Sequence, residues 1–461
     1  MFKNKFIISA LGMALLATGC KKELDLSPTD TFNETNAYLN VLDLQKGTYT
    51  AYSRYNYENT MYINAVLSDE VKFGVDNAGQ GQFEYKWTYQ SDPTSGGGVT
   101  AGWSSMYSMI DQINRVLGSI DQVPATGSDD AKKQSLKGQM LALRALGHLE
   151  LLERYSGVYN ASAVGVPIMT VSNLLGKPAR STMGDVVAQI EKDLTDAKAI
   201  LSAPSAANYQ DTIINQITAN AIHARVALYK KDWQNAVNYA TTVINSNVKP
   251  LASGATFTDI WTDNSNAEIL FRIKRTGTSA GAIFTTTGGQ VYFSPSDKII
   301  AQYGATDVRK TAYFNTVSGK PNVKKFYSSS LGGGIVDVKA IRTAEMYLIR
   351  AEANTELNKL TEAAADLNLL RSKRITPYAD ATFADQATLR DAIVNERFKE
   401  LAYEGFRFFD LKRKGLPVQR QASDVQSTQW QNLAADNFRF ILPLPAFEIL
   451  ANPNITQNNG Y

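Results

Sequence analysis

The chain has 461 residues, 44% of them hydrophobic, with 47 Lys and Arg against 44 Asp and Glu and a net charge of +3. That apolar content supplies core for one large domain or two ordinary ones, and the balanced charge excludes bulk electrostatic attraction to nucleic acid. One cysteine allows no internal disulfide, and the two histidines, His148 and His223, fall in separate helical patterns with no zinc-spaced cluster, so neither metal nor cofactor is expected.

Lys3 and Lys5 precede an apolar run, Phe6 to Ala17, of about twelve residues, too short to span a bilayer core of about 30 Å as a lasting helix. The run ends in Leu16-Ala17-Thr18-Gly19-Cys20, and Cys20 is the sole cysteine. This layout resembles a bacterial lipoprotein signal. It implies removal of residues 1–19, lipid on Cys20, and membrane attachment through that lipid alone. Residues 20–35 are polar, carry a proline and read as a tether.

Helical spacing runs from Asn36 to about Asn56. Residues 74–102, rich in Gly, Ser, Asp and aromatics, read as an irregular loop region open to short strands. Helical periodicity returns over 103–121, 131–155 and 183–202, and the Gly and Pro residues of 156–182 interrupt it. Two helix–turn–helix units follow, within 215–247 and 343–374. In the first, Asp232 is placed to cap the second helix; in the second, Thr361 is. Ala224 and Ala236 are twelve apart, as are Ala351 and Ala363, and small residues there let antiparallel helices approach closely. This is the logic of a tetratricopeptide repeat. The glycine-rich stretch 249–342 reads as a loop-rich insert with short strands near 269–273 and 290–294. Residues 386–414 return to helix, and Pro443 and Pro445 argue against a central strand in the tail.

Several charged residues mimic catalytic sets. Glu396 and Glu400 share a helix face, as a glycosidase carboxylate pair would. Arg397, Lys399 and Arg407 are interleaved with them and favour their ionised form, so a structural role is expected and no catalytic residue is assigned. Gly96-Gly97-Gly98 and Gly332-Gly333-Gly334 lack a following Lys-Ser/Thr and read as flexible turns rather than phosphate loops. Asp259, Asp263 and Glu268 are loop carboxylates that would permit a calcium ion. Trp103, Trp233 and Trp261 read as core.

Ligand chemistry concentrates in FGVDNAGQGQFEYKWTY, residues 73–89. A sugar ring offers an apolar face to a flat aromatic and an equator of hydroxyls to amides and carboxylates. Phe73, Phe83, Tyr85, Trp87 and Tyr89, with Asp76 and Asn77 among them, are therefore candidate ligand residues. The alternation from Phe83 to Tyr89 equally fits one buried face of a strand.

Eight blocks in chain order resemble the SusD/RagB family of outer-membrane nutrient-binding lipoproteins. They are the segment ending in Cys20; Trp103–Tyr107 with Ile113–Leu117; Leu143–Ala145 and Leu152–Tyr155 with Gly165–Ile168; and Ala224–Tyr229 with Asp232, Trp233 and Ala236. Then come Ser294–Ser296 with Tyr303, Asp307 and Arg309; Arg342–Ala353; Asn395–Arg397 with Glu404–Arg413; and Leu442–Pro445 with Asn452, Pro453 and Gln457–Tyr461. The resemblance implies a mostly α-helical single domain over 36–461, with about four tetratricopeptide-like helix pairs and a loop-rich lobe. It implies a surface-exposed binding protein rather than an enzyme. Such a protein would take up an oligosaccharide, or a peptide in some members, and partner a SusC-type TonB-dependent transporter. A helical glycoside hydrolase is the catalytic alternative. The family's ligand surface also draws on the middle of the chain, which adds Phe284 and Tyr292 as candidates.

Overall fold

The computed structural model describes residues 37–277, 281–329, 332–333 and 335–461. The expected signal, Cys20 and the expected tether lie outside the described residues.

The scaffold is a succession of helices: α1 (Val41–Ser53), which packs on the third and fourth, then α2 (Tyr57–Leu67), α3 (Pro93–Ile120), α4 (Ser128–Tyr155), α5 (Met183–Ile200), α6 (Gln216–Tyr229) and α7 (Trp233–Ser246). After the insert come α8 (Thr343–Glu356), α9 (Leu360–Ser372), α10 (Gln386–Glu400), α11 (Arg407–Lys414) and α12 (Ala446–Ala451). Packing runs from α3 to α4, α4 to α5, α6 to α7, α7 to α8 and α8 to α9, a tetratricopeptide-like layering. Ala224, Ala236, Ala351 and Ala363 are all fully buried, as close helix approach requires. Asp232 caps α7 by accepting from Asn235 N–H. Thr361 does not cap α9. That helix begins one residue earlier, at Leu360, so Thr361 stands inside its first turn, and Lys359 occupies the cap without a side-chain bond.

Short strands pair two by two. Strand β1 (Val71–Phe73) pairs antiparallel with β3 (Phe293–Pro295), with Phe73 opposite Phe293. Strand β2 (Ile269–Ile273) pairs with β6 (Val338–Arg342), and β4 (Phe314–Val317) with β5 (Lys320–Val323). The expected helix over 386–414 is two helices, because Gly405 at φ +92° turns the chain between α10 and α11. A continuous core runs from Val41 to Ile455 and includes Trp103 and Trp261; Trp233 packs half-buried at its edge.

The largest departure from expectation lies at 93–102, where the loop reading gives way to the start of α3. Asp92 caps this helix by accepting from the Thr94 and Ser95 amides at 2.9 and 3.0 Å, and Pro93 takes the first position. Gly96, Gly97 and Gly98 are helical, not a turn. A Cβ on Gly96 would lie 1.7 Å from Gln90 O, and one on Gly98 2.1 Å from Glu84 Oε1. Two of the three glycines therefore exist so that segment 84–90 can press against the helix.

Candidate functional site

That close approach builds an open cup of about 400 Å³. Its walls are Asn59 and Tyr62 of α2, the turn 79–84, and the first residues of α3 through Gly98. Tyr62 and Phe83, both half-buried, present aromatic surface, and Gln80, Gln82, Thr94 and Ser95 present amides and hydroxyls. Glu84 forms the floor. It is buried, accepts from Tyr62 OH and the Gly98 amide, and burial raises its pKa. A floor carboxylate beside a helix start leaves no net attraction for an anion. Aromatic faces ringed by neutral donors and acceptors suit a polyol.

The loop after the first helices and the middle of the chain do meet, through residues named from the sequence. Asp76 Oδ2 accepts from Val291 N–H at 2.8 Å and pairs with Lys320 Nζ at 2.7 Å; the Lys320 hydrogen bond holds its pKa down. Asn77 Nδ2 donates to Gln80 O and to Tyr292 O, both at 2.9 Å. These two side chains tie the turn to residues 290–292 and act as braces. Half-buried Phe73 packs on Tyr85 at a centroid distance of 4.2 Å.

Four named candidates lie in the core. Tyr85, Trp87, Tyr89 and Phe284 are all buried, which closes their ring faces to a ligand. Tyr85 OH donates to Asp424 O at 2.7 Å, and Trp87 Nε1 donates to Leu67 O at 2.9 Å. Tyr89 OH donates to Arg439 O, and Phe284 meets Tyr403 edge-on at 5.5 Å. Nor is the aromatic run a strand: Gln82–Tyr85 is one helical turn and Trp87 has φ +55°. The unforeseen organiser is Arg420. Its Cζ lies 3.8 Å from the Tyr85 centroid and 4.2 Å from that of Trp87, and it donates to Val66, Ser68, Tyr85 and Trp430 carbonyls. Burial lowers its pKa to about 10. Nothing local in the sequence links positions 85 and 420. Tyr62 and Asn59, from α2, were likewise missed, because only the fold brings them over the turn.

The carboxylate pair is locked. Glu396 accepts from Arg309 Nη1 at 2.6 Å and Arg371 Nε at 2.7 Å, and Glu400 from Arg309, Arg342 and Arg374. Burial works to raise both pKa values, but Arg309, Lys399 and Arg371 overcome it and pull Glu396 to about 2; Arg374, Arg342 and Arg309 hold Glu400 lower still. Neither carboxyl carries a proton to give at neutral pH. Asp263 is paired with Lys339, and Glu268 with Arg342 and Arg374, so two of the three suggested calcium ligands are committed to cations. Among the described residues, no group of three or more His, Cys, Asp or Glu stands where a metal ion could be held. A narrow, partly open pocket of about 40 Å³ between α4, α6 and α11 has room for about three waters and not for a sugar ring.

Two family models cover the folded chain. Residues 222–461 match the SusD family, and residues 23–228 match a SusD-like model described as starch-binding associating with outer membrane. The chain belongs to the SusD family. This SusD-family protein is 23% identical to SusD-like protein P2 of Formosa agariphila, over 99% of this chain and all of the relative. Its fold matches a SusD superfamily protein from Bacteroides thetaiotaomicron at a TM-score of 0.80 with 24% identity, covering 91% of this chain and 99% of that one. A putative sugar binding protein from Bacteroides vulgatus matches equally, at 0.80 and 24%, covering 92% of this chain and 100% of that one. No helix among the described residues is long and apolar enough to cross a membrane.

Proposed function

We propose that this protein is a lipid-anchored, cell-surface glycan-binding protein that captures oligosaccharide and passes it to a SusC-type TonB-dependent transporter, without covalent chemistry. Residues 1–19 are removed, Cys20 carries the lipid, and residues 20–35 tether a single folded unit over 36–461. The cup over Tyr62 and Phe83 is the observation that carries the glycan reading. It offers ring faces for stacking, neutral polar groups for hydroxyls and no cationic anchor for a charged ligand. Of the residues named from sequence, Phe83 touches the ligand directly, Phe73 packs behind it on Tyr85, and Asp76 and Asn77 set the turn, Asn77 through the Tyr292 carbonyl. The family membership and the model described as starch-binding agree with this reading.

Glycan and peptide libraries screened by thermal shift separate carbohydrate from peptide ligands, since a ligand that binds only the folded state raises the melting temperature. Phe83→Ala is expected to weaken glycan binding roughly tenfold, the scale of one lost stacking contact, with a melting temperature close to that of the parent. Unchanged glycan affinity in that variant, or a response to peptides alone, would reject the cup as a sugar site. Metabolic labelling with palmitate tests the anchor: label present in the parent and absent in Cys20→Ser is the expected pattern.

A further inference from the structure

Four large apolar side chains lie bare on two segments that are tied together. Leu174 and Leu175 are 78% and 91% exposed at the tip of the connection between α4 and α5, and Phe447 and Leu450 of α12 are 52% and 86% exposed. Two amides hold these segments side by side: Asn452 Nδ2 donates to Pro178 O, and Asn454 Nδ2 to Lys177 O, each at 2.8 Å. Val171, 64% exposed, continues the cluster toward the start of the described chain. There Ser172 Oγ donates to Asp111 Oδ1 at 2.6 Å, while the adjacent Gln112 Nε2 donates to Tyr38 OH at 2.9 Å. Ala37 and Tyr38 line the same cleft as Val171 and Ser172.

Contiguous exposed apolar surface marks a contact that removes it from water. What covers it follows from where the chain enters. Residues 21–36 separate Cys20 from this end of the fold, a reach of at most about 55 Å when fully extended. A lipid at Cys20 holds the start of the described chain, which lines a cleft with Val171, within that distance of a bilayer. Exposed Lys177 beside the two leucines adds a cation suited to anionic headgroups. We infer that the patch formed by Leu174, Leu175, Phe447 and Leu450 docks on the lipid surface, fixing how the molecule sits above the membrane. This inference rests on the anchor reading proposed above.

Vesicle flotation of the mature chain carrying Cys20→Ala tests the patch without the lipid. Vesicles of phosphatidylethanolamine with added phosphatidylglycerol are expected to carry the protein upward, and Leu174→Asp with Leu175→Asp to reduce that binding roughly tenfold. Both side chains project from the surface, so an unchanged melting temperature in the double variant shows that the fold is intact. A parent chain that stays at the bottom of the gradient, or a double variant that floats as well as the parent, overturns the inference. So does a concentration-dependent dimer that the double substitution disperses while vesicles remain unbound, since the patch then belongs to a second copy. Palmitate labelling judges the anchor separately: a missing label with intact flotation sinks the anchor and leaves the lipid-facing patch standing.

Discussion

Trp87 shows how a side chain suited to sugar becomes a structural post. Its indole N–H is spent on Leu67 O, and its ring covers the Arg420 guanidinium, which pairs with no carboxylate among the described residues and relies on four carbonyls and two aromatic faces. Removing the ring opens a cavity and exposes that charge to an unfilled space. Trp87→Ala is expected to lose about 3–5 kcal/mol of stability, read by urea denaturation. A loss under about 1 kcal/mol would mean that the ring is not part of the core. Phe83, two residues after Gly81, has the opposite fate because the single helical turn Gln82–Tyr85 points positions 83 and 85 in different directions. In an extended strand the two would share a face.

At the scale of one element, the first turns of α3 set the cup. Three consecutive glycines cost helix stability, about 1 kcal/mol each relative to alanine. Asp92, Pro93 and the buried stripe Val99, Trp103, Met106, Ile110 and Ile113 outweigh that cost. The glycines then divide by environment. Gly97 has nothing within reach of an added Cβ, so Gly97→Ala is expected to stabilise by about 0.5–1 kcal/mol. Gly96→Ala drives a methyl into Gln90 O and is expected to destabilise and to displace the segment that carries Phe83. Thermal melts of the two variants check this. Equal shifts in both would mean that the loop does not press on the helix as described.

Across the whole molecule, buried ion pairs join the insert to the C-terminal helices. Arg342 and Arg374 bridge Glu268 to Glu400, and Arg309 bridges Asp307 to Glu396 and Glu400, all of them buried. Such pairs are costly to desolvate and costlier to break singly, so they lock the arrangement more than they add net stability. Their pH signature is acid loss. With Glu396 at about 2 in the folded state, its contribution is present above the ordinary carboxylate range and disappears as pH falls through about 2. Glu70 has the opposite sign. Burial, together with neighbouring Asp69, raises it to about 8, and its Oε2 has no hydrogen-bond partner among the described residues. The folded state therefore retains a proton that the unfolded chain releases, and this contribution is full below the ordinary range and lost as pH rises toward 8. Glu70→Gln is expected to remove that alkaline slope. Chemical denaturation of parent and variant from pH 5 to pH 8 should show the parent losing stability relative to the variant; parallel curves would show that Glu70 is already ionised.

The local patterns that survive folding are those whose cause is local. Helical periodicity marked α4 and α5 to within a few residues, the alanines at 224, 236, 351 and 363 announced close helix pairs, and Asp232 capped where its position said it would. Glu396 and Glu400 are ionised as the interleaved charges led one to expect, but of the interleaved cations only Lys399 contributes; the rest of the effect comes from Arg309, Arg342, Arg371 and Arg374, which the fold brings in. The proposed ligand surface was legible only as a region. Which aromatic faces water depends on partners hundreds of residues away: Arg420 and Asp424 claim Tyr85, Arg439 claims Tyr89, and Tyr403 claims Phe284. Composition places stacking chemistry at 73–89, but burial is a property of the assembled core, and it alone separates the rings that hold the fold from the ring left in the cup.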